Sequence, residues 1–327
     1  MHAATRPPLW TKPVVQSSSQ VCFLRLPFSW PVYIPRWLRP SGTLSFPSLP
    51  SHSKSDTAIF SRSTRTLSTF RIMNSTGAVG YTLVNTETAL VSFLDSLTNL
   101  SNNPPALYLD LEGDNLCKDG TLTIISVLVQ PLNHVYIIDI QSLGNSAFHK
   151  PTRNGSTFKS VLEDPHTTKV FFDVRNDSNA LFFLFGISLA GIEDIQLMEN
   201  ASRVDYGRGG TFRAYVAGIG KCIERDAGLT QWEVAKWKGL KSKMASRFDA
   251  TRFGQGIHVF AARPLDVEAL QYCADDVRVL PRLRESYLAR LSVAWKGMVE
   301  QETAKRVLIS QTALYVPKGQ QKARGPW

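Results

Sequence analysis

The chain has 327 residues, of which 43% are hydrophobic and 20% charged, a composition typical of a globular protein with a full core. It excludes a fibre, a repeat array and a wholly disordered protein. The net charge of +10 belongs to the two ends, because residues 76–295 carry 22 basic and 24 acidic side chains. The charge is therefore a much weaker argument for a basic nucleic-acid-binding fold between the ends than the total suggests.

Cysteine spacing and hydropathy limit the compartment and the partners. The four cysteines are scattered and fit neither a CxxC metal site nor a disulfide framework, which favours a reducing compartment. The longest apolar stretch near the start, from Phe23, is interrupted by prolines and arginines and cannot span a bilayer. We expect a soluble protein without a membrane partner.

Residues 1–75 are rich in Ser, Pro and Arg and contain a single acid, Asp56. They show no helical or strand periodicity, so this segment is predicted to be a disordered leader. The stretch RSTRTLSTFR favours a mitochondrial transit peptide if translation begins at Met1. A start at Met73, with a cytoplasmic or nuclear product, is an equally open alternative.

Regular structure is predicted from Thr86 onward. TETALVSFLDSL has helical spacing, with Asn85 or Thr86 as the N-cap. ALYLDLEG, TLTIISVLVQ and HVYIIDI follow as three strands separated by short turns, which indicates an antiparallel meander.

Helices and strands then alternate. A helix around residues 158–162, a short strand KVFFD, a helix SNALFFLFG ending at Gly186 and a strand over 192–197 predict a mixed α/β sheet. From Tyr215 to Leu291 the pattern is mostly helical. Its last helix is predicted to begin at Pro264 and to kink or end at Pro281.

Carboxylates recur in a suggestive order. In ALYLDLEG the alternation of a strand places Tyr108, Asp110 and Glu112 on one face, where adjacent like charges need water or a cation between them. Asp177 lies at the start of the helix after KVFFD, and a helix N-cap is an ordinary alternative for it. Tyr272 and Asp276, four residues apart, share one helix face.

The ordered set DxEG, KVFFDVRND and YxxxD resembles the DEDD superfamily of 3′-5′ exonucleases, in particular the RNase D-type and Egalitarian-like branch with its fungal members. The resemblance covers residues 105–290 and implies an RNase H-like fold. It divides the chain into the leader, an exonuclease domain over 76–295 and a basic C-terminal extension over 296–327. Gln271 stands where one subclass has histidine, which indicates the tyrosine subclass.

Carried onto this sequence, the resemblance implies two-metal hydrolysis of phosphodiester bonds. The oxygen-only ligand set favours two Mg²⁺ or Mn²⁺ ions. Asp110 is expected to bridge the ions, Glu112 and Asp276 to hold the one that activates water, and Asp177 to act through bound water. Tyr272 would orient the attacking water. The predicted metal ligands are Asp110, Glu112, Asp177 and Asp276, with Tyr272 completing the catalytic set and Asp173 and Asp275 as rival acids.

The expected partner is single-stranded RNA or DNA, with RNA favoured. Basic and aromatic residues interleave in AKWKGLKSKMASRF, which suits phosphates and unpaired bases, although a solvated helix face is the ordinary alternative. The predicted nucleic-acid-binding residues are Lys236, Lys238, Lys241, Lys243, Arg247 and Trp237, next to Trp232. A catalytically silent adaptor with the same fold remains the alternative function.

Overall fold

A computed structural model describes residues 80–98, 100, 107–204, 212–252 and 258–327. The predicted leader and Met73 lie outside the described residues.

The core of the protein is one mixed sheet of six strands in the order β1-β4-β3-β2-β5-β6. The strands β2, β3 and β4 form the predicted antiparallel meander, whereas β1 pairs with β4, β5 with β2 and β6 with β5 in parallel. The strands are β1 Tyr81–Val84, β2 Leu107–Glu112, β3 Ile124–Val129, β4 His134–Asp139, β5 Lys169–Phe171 and β6 Ile192–Asp194.

Helices cover both faces of this sheet. Those before β6 are α1 Glu87–Ser96, α2 Ile140–Leu143, α3 Ser146–His149, α4 Phe158–Glu163 and α5 Arg175–Phe185. Those after it are α6 Ile195–Ser202, α7 Ile219–Asp226, α8 Gln231–Arg252, α9 Val267–Arg278, α10 Leu280–Leu288 and α11 Val293–Ser310.

The alternation of β2 separates two apolar layers. Leu107, Leu109 and Leu111 pack into one layer with α1, α3 and α4. Tyr108 lies in the other layer with α9 and α10. Asp110 and Glu112 share the face of Tyr108, as predicted, and therefore point toward the side of the sheet that α9 covers.

Local capping explains most departures from the predicted boundaries. The strand expected over 192–197 ends at Asp194, because the Asp194 carboxylate accepts a hydrogen bond from the Gln196 amide and starts α6. The helix expected from Pro264 begins only at Val267, because Asp266 caps the Ala269 amide. Pro281 lies in the first turn of α10.

Two other elements differ from prediction. Helix α5 begins at Arg175, three residues before the predicted start, and ends before Gly186 in the left-handed conformation. The four-residue strand β1 was not predicted, since its partner β4 lies about fifty residues further along the chain.

Within the described residues, no helix has the length and apolarity that crossing a membrane requires.

Candidate active site

Asp110 and Glu112 project from β2, which lies inside the sheet between β3 and β5. In the antiparallel pairing Asp110 is opposite Ser126 and Glu112 is opposite Ile124. Apolar or neutral neighbours across the strand leave both carboxylates without a basic partner on the sheet itself. Their charge must be balanced by whatever covers this face.

Helix α9 supplies the third carboxylate. Its buried face, Ala269, Cys273 and Val277, packs on β2, β3 and β4, and Asp276 lies next to that face with 5% of its surface exposed. Oxygen atoms of Asp110, Glu112 and Asp276 lie within 4.8 Å of one another. Two segments more than 160 residues apart in sequence thus bring three acids together.

Asp177 lies in the first turn of α5 and is 8% exposed. Burial raises its pKa well above the usual value, and the negative charges of Asp110 and Asp173 raise it further. The charge of Asp110 therefore acts on the carboxyl group of Asp177. Asp177 is nevertheless not one of the three acids whose oxygen atoms lie within 4.8 Å of one another. It is not the N-cap of α5, a position that Val174 occupies.

The electrostatics of the three-acid cluster are unfavourable without a cation. Burial first, then the charge of Asp276, raises the pKa of Asp110 to about 7. The pKa of Glu112 is raised well above its usual value by burial and then by Asp110 and Asp276. Proximity of like charges in a poorly solvated site favours the protonated forms.

A hard cation fits this cluster. The Oδ1 atom of Asp276 is buried and has no hydrogen-bond partner, although buried carboxylate oxygens normally accept a bond. Three oxygen donors, raised pKa values and one unpartnered oxygen are the conditions that a divalent ion relieves. The cluster can hold a metal ion, and the described part of the chain contains no second group of this kind.

Lys241 on α8 is the cation that contacts the cluster. Its Nζ donates to Oδ2 of Asp276 and lies 3.9 Å from the centroid of the Tyr272 ring. Burial raises the pKa of Asp276, and Lys241 and then the Trp237 indole oppose that rise, although the indole N–H makes no hydrogen bond of regular geometry. Lys241 was predicted as a nucleic-acid-binding residue, and the structure places its ammonium in contact with the acid cluster.

The comparisons identify the family of this chain. A protein-family model with the description 3′-5′ exonuclease matches residues 81–291 of the sequence. This range includes all the acids of the cluster. The chain belongs to the 3′-5′ exonuclease family. The resemblance found in the sequence is confirmed, and so is the mixed sheet flanked by helices that it implied.

Two curated relatives match part of this chain. Human piRNA biogenesis protein EXD1 is 36% identical over 93 residues, and the mouse protein is 34% identical over 93 residues. The match covers 28% of this chain in both cases, but only 16% of the human protein and 15% of the mouse protein. The chain thus spans less than a fifth of the length of these relatives.

Solved structures support the fold. RNase D of Trypanosoma brucei has a TM-score of 0.59 and 24% identity, covering 75% of this chain and 78% of that one. The complex of the same enzyme with RNA U12 has a TM-score of 0.56 and 23% identity, covering 73% of each chain. At this identity the likeness establishes the fold of the exonuclease domain.

The two rival acids of the exonuclease domain are held in ion pairs outside the cluster. Asp173 accepts from Arg175 at 2.8 Å, and the pKa of Asp173 is lowered because hydrogen bonds and nearby cations outweigh its burial. Asp275 accepts from Arg278 at 2.8 Å and from Gln271 at 2.7 Å. Their carboxylates are already neutralised, whereas that of Asp110 has no such partner on β2.

Tyr272 stands between the acids and a wall of aromatic rings. Burial, and then Glu112, Asp276 and Asp110, raise the pKa of its phenol, so the hydroxyl keeps its proton at neutral pH. Its ring centroid lies 5.8 Å from that of Phe260 and 6.3 Å from that of Phe248. His258 stacks on Phe248, and its buried Nδ1 lacks a hydrogen-bond partner among the described residues.

Sequence reasoning missed this aromatic wall. Phe248, His258 and Phe260 are isolated aromatics near the end of α8 and before α9, and nothing in their spacing predicts that they meet Tyr272. Lys241 did carry a usable signal. It lies four residues after Trp237, on the same face of α8, so the two side chains can reach the same acid.

The other residues of the predicted basic cluster lie on the surface of α8. Lys238 pairs with Glu224 at 2.9 Å, Lys243 pairs with Glu268, and Arg247 pairs with Asp266. These acids offset most of the positive field that the sequence suggested.

Lys236 lies 5.5 Å from the centroid of Trp232, which is 71% exposed. Both residues line an open groove of about 730 Å³, together with Trp237 and Arg278. The groove shares Trp237 with the site around Asp276, and its exposed Trp232 ring can stack on an unpaired base, but its lining is balanced in charge, with three basic and three acidic residues.

Proposed function

We propose that this protein is a divalent-metal-dependent 3′-5′ exonuclease that shortens single-stranded nucleic acid, with RNA preferred to DNA. The observation that carries the proposal is the convergence of Asp110, Glu112 and Asp276 within 4.8 Å inside a 3′-5′ exonuclease domain. Buried Asp177 and the protonated Tyr272 border the same site.

The four carboxylates would hold the metal. Asp110, Glu112 and Asp276 supply one group of oxygens, and Asp177 adds a fourth acid that senses the charge of Asp110. All four offer hard oxygen donors, which Mg²⁺ and Mn²⁺ prefer, and we propose two such ions. When bound there, the ions supply the Lewis acidity that phosphodiester hydrolysis needs at the water and at the leaving oxygen.

The side chains of the chain itself orient the reactants. Tyr272 is a poor base because its pKa is raised, so its protonated hydroxyl acts as a hydrogen-bond donor that orients water or a phosphate oxygen. Lys241 presents its ammonium beside the Tyr272 ring, where it can neutralise part of the charge of a phosphate.

The surroundings of the site favour an unpaired strand. The groove that Trp237 shares with the site exposes the Trp232 ring beside Lys236, and unpaired bases stack on exposed rings whatever their sequence. Support for RNA comes from the structural neighbour, since RNase D of Trypanosoma brucei was solved with RNA U12. Discrimination against DNA would require contacts to the 2′-hydroxyl.

The decisive experiment uses the full chain and single-stranded RNA or DNA labelled at the 5′ end. We expect a ladder of products shortened from the 3′ end with Mn²⁺ or Mg²⁺, more rapidly for RNA, and none with a chelator. The Asp110→Asn, Glu112→Gln double variant is the control and should be inactive while remaining folded. Wild-type protein that leaves the RNA intact, or a double variant of equal activity, would refute the proposal. RNA binding without shortening would instead support the adaptor.

A further inference from the structure

The chain continues beyond the exonuclease match, which ends at residue 291. Helix α11 packs against α5, α6 and β6. At its end the Ser310 carbonyl accepts a hydrogen bond from Asn179 of α5 at 2.8 Å, and both residues are fully buried. The segment after the family match is thus built onto the helix that carries Asp177.

The last residues, 311–327, return to the body of the domain. The amide of Val216 donates to the carbonyl of Ala323 at 2.9 Å, and the amide of Gly325 donates to the carbonyl of Ala214 at 2.8 Å. Trp327 packs edge-on against Trp295 of α11, with ring centroids 5.3 Å apart. Backbone bonds and an aromatic contact hold this tail in one place.

Two side chains of the tail converge on one atom of α5. The buried Tyr315 hydroxyl donates to Oδ1 of Asn176 at 2.7 Å, and the Lys322 ammonium donates to the same oxygen at 2.8 Å. The carbonyl of Lys322 in turn accepts from Arg175 at 2.9 Å. The tail is therefore hydrogen-bonded to Arg175 and Asn176, the two residues that precede Asp177.

The start of helix α5 is held from outside the helix. Its N-cap residue, Val174, makes no side-chain hydrogen bond, and the Val174 amide donates instead to the Asp194 carboxylate at 3.3 Å. Asn176 and Asp177 are consecutive and point about 100° apart on the helix. Fixing the Asn176 side chain therefore fixes the rotation of the turn and the direction in which Asp177 points.

We propose that Tyr315 and Lys322, which lie after the end of the family match, are positioning residues that hold Asp177 toward the acids of the metal site. This inference rests on the proposed function, because it requires Asp177 to contribute to metal binding. Neither side chain is proposed to contact the metal or the substrate. Their effect passes through Asn176 and the first turn of α5.

The direction in which Mn²⁺ affinity changes distinguishes a positioning role of Lys322 from a purely electrostatic one. Lys322→Met removes the hydrogen bond to Asn176, the ion pair with Asp173 at 3.6 Å and a positive charge. Loss of a positive charge near a cation site, by itself, strengthens cation binding. Loss of positioning weakens it. Tyr315→Phe removes only the hydroxyl, so it tests positioning without any change of charge.

The experiment is a calorimetric titration of the full chain with Mn²⁺ alone, without nucleic acid. We expect Lys322→Met to bind Mn²⁺ roughly tenfold more weakly than wild type, and Tyr315→Phe to change the affinity in the same direction. Lys322→Arg, which keeps the charge and a donor, should restore most of the affinity. Lys318→Met, an exposed lysine of the same tail, is the matched control and should bind like wild type.

The outcomes distinguish the two proposals. Unchanged or tighter Mn²⁺ binding by both Lys322→Met and Tyr315→Phe, with wild-type thermal unfolding, would overturn the positioning role and leave the proposed function standing. A wild-type protein that binds no Mn²⁺ would overturn both. If Lys322→Met does not fold, Tyr315→Phe alone decides the question.

Discussion

Lys241 and Asp276 form an ion pair that uses only half of the carboxylate. The Lys241 ammonium binds Oδ2, while Oδ1 is buried and unpartnered. Asp276 is thus partly neutralised by the chain itself and still offers one oxygen to a cation. This relationship, joining α8 to α9, makes Lys241 the side chain whose substitution should separate metal binding from turnover.

Lys241→Met should bind Mn²⁺ more tightly than wild type without substrate, because a competing positive charge is removed. Its exonuclease rate at saturating metal should nevertheless fall by about a hundredfold, because the ammonium proposed to neutralise a phosphate oxygen is lost. Calorimetry and product ladders measure the two effects. Lys318→Met, the exposed lysine used as a control above, should alter neither. A Lys241→Met variant with the wild-type rate would show that the ammonium only pairs with Asp276.

Asp110→Asn should stabilise the metal-free protein as the pH rises. The folded-state pKa of Asp110 is raised to about 7, so its contribution to stability is fully present below the unfolded value and is lost as the pH rises through 7. Asparagine carries no charge to lose. The free energy of unfolding of the variant should therefore exceed that of wild type by roughly 1 to 3 kcal/mol at about pH 8, with a smaller difference near pH 5.

Denaturant unfolding at the two pH values checks this expectation. Mn²⁺ should stabilise wild type at the higher pH and stabilise Asp110→Asn much less, because metal binding requires the deprotonated acid. A difference in stability that shrinks as the pH rises would contradict the raised pKa.

Tyr272→Phe should lower the turnover number roughly tenfold and leave the shape of the pH profile unchanged between about pH 6 and 9. The phenol is protonated throughout this range because burial and three acids raise its pKa. Steady-state rates on single-stranded RNA across the range provide the measurement. Disappearance of a limb of the profile in the variant would indicate that Tyr272 exchanges a proton during the reaction.

Gly325→Ala should loosen the tail. A Cβ atom at this position would lie 2.1 Å from the carbonyl oxygen of Arg213 and 3.1 Å from the Asn200 side chain, so the backbone would have to move. We expect a loss of about 1 to 3 kcal/mol in unfolding free energy. Gly297→Ala is the matched control, since no atom lies within 4 Å of its added methyl group, and alanine favours the helix by up to about 1 kcal/mol.

Thermal unfolding of both glycine variants tests whether the tail stabilises the folded domain. Equal melting temperatures for Gly325→Ala and wild type would mean that the tail contributes little to the folded domain. A lower melting temperature combined with weaker Mn²⁺ binding would connect tail docking with the site around Asp177.

The sequence by itself determined the elements with strong local patterns. Alternation in β2 decided that Asp110 and Glu112 share a face, and helical spacing decided the same for Tyr272 and Asp276, because both periods are properties of the local backbone. The helix N-caps at Asp194 and Asp266 could also have been predicted from the sequence, because aspartate is a favoured N-cap residue. Their side chains shifted two boundaries by a few residues each.

Only the tertiary structure decided which distant groups meet. Lys241 enters the site, Phe248 and Phe260 pack against Tyr272, and the tail binds the start of α5. These contacts join segments that are far apart in the sequence, and no helical or strand periodicity links such segments. They follow from the way α8, α9 and α11 pack on one sheet, and packing depends on the shape of the whole core rather than on any one stretch of residues.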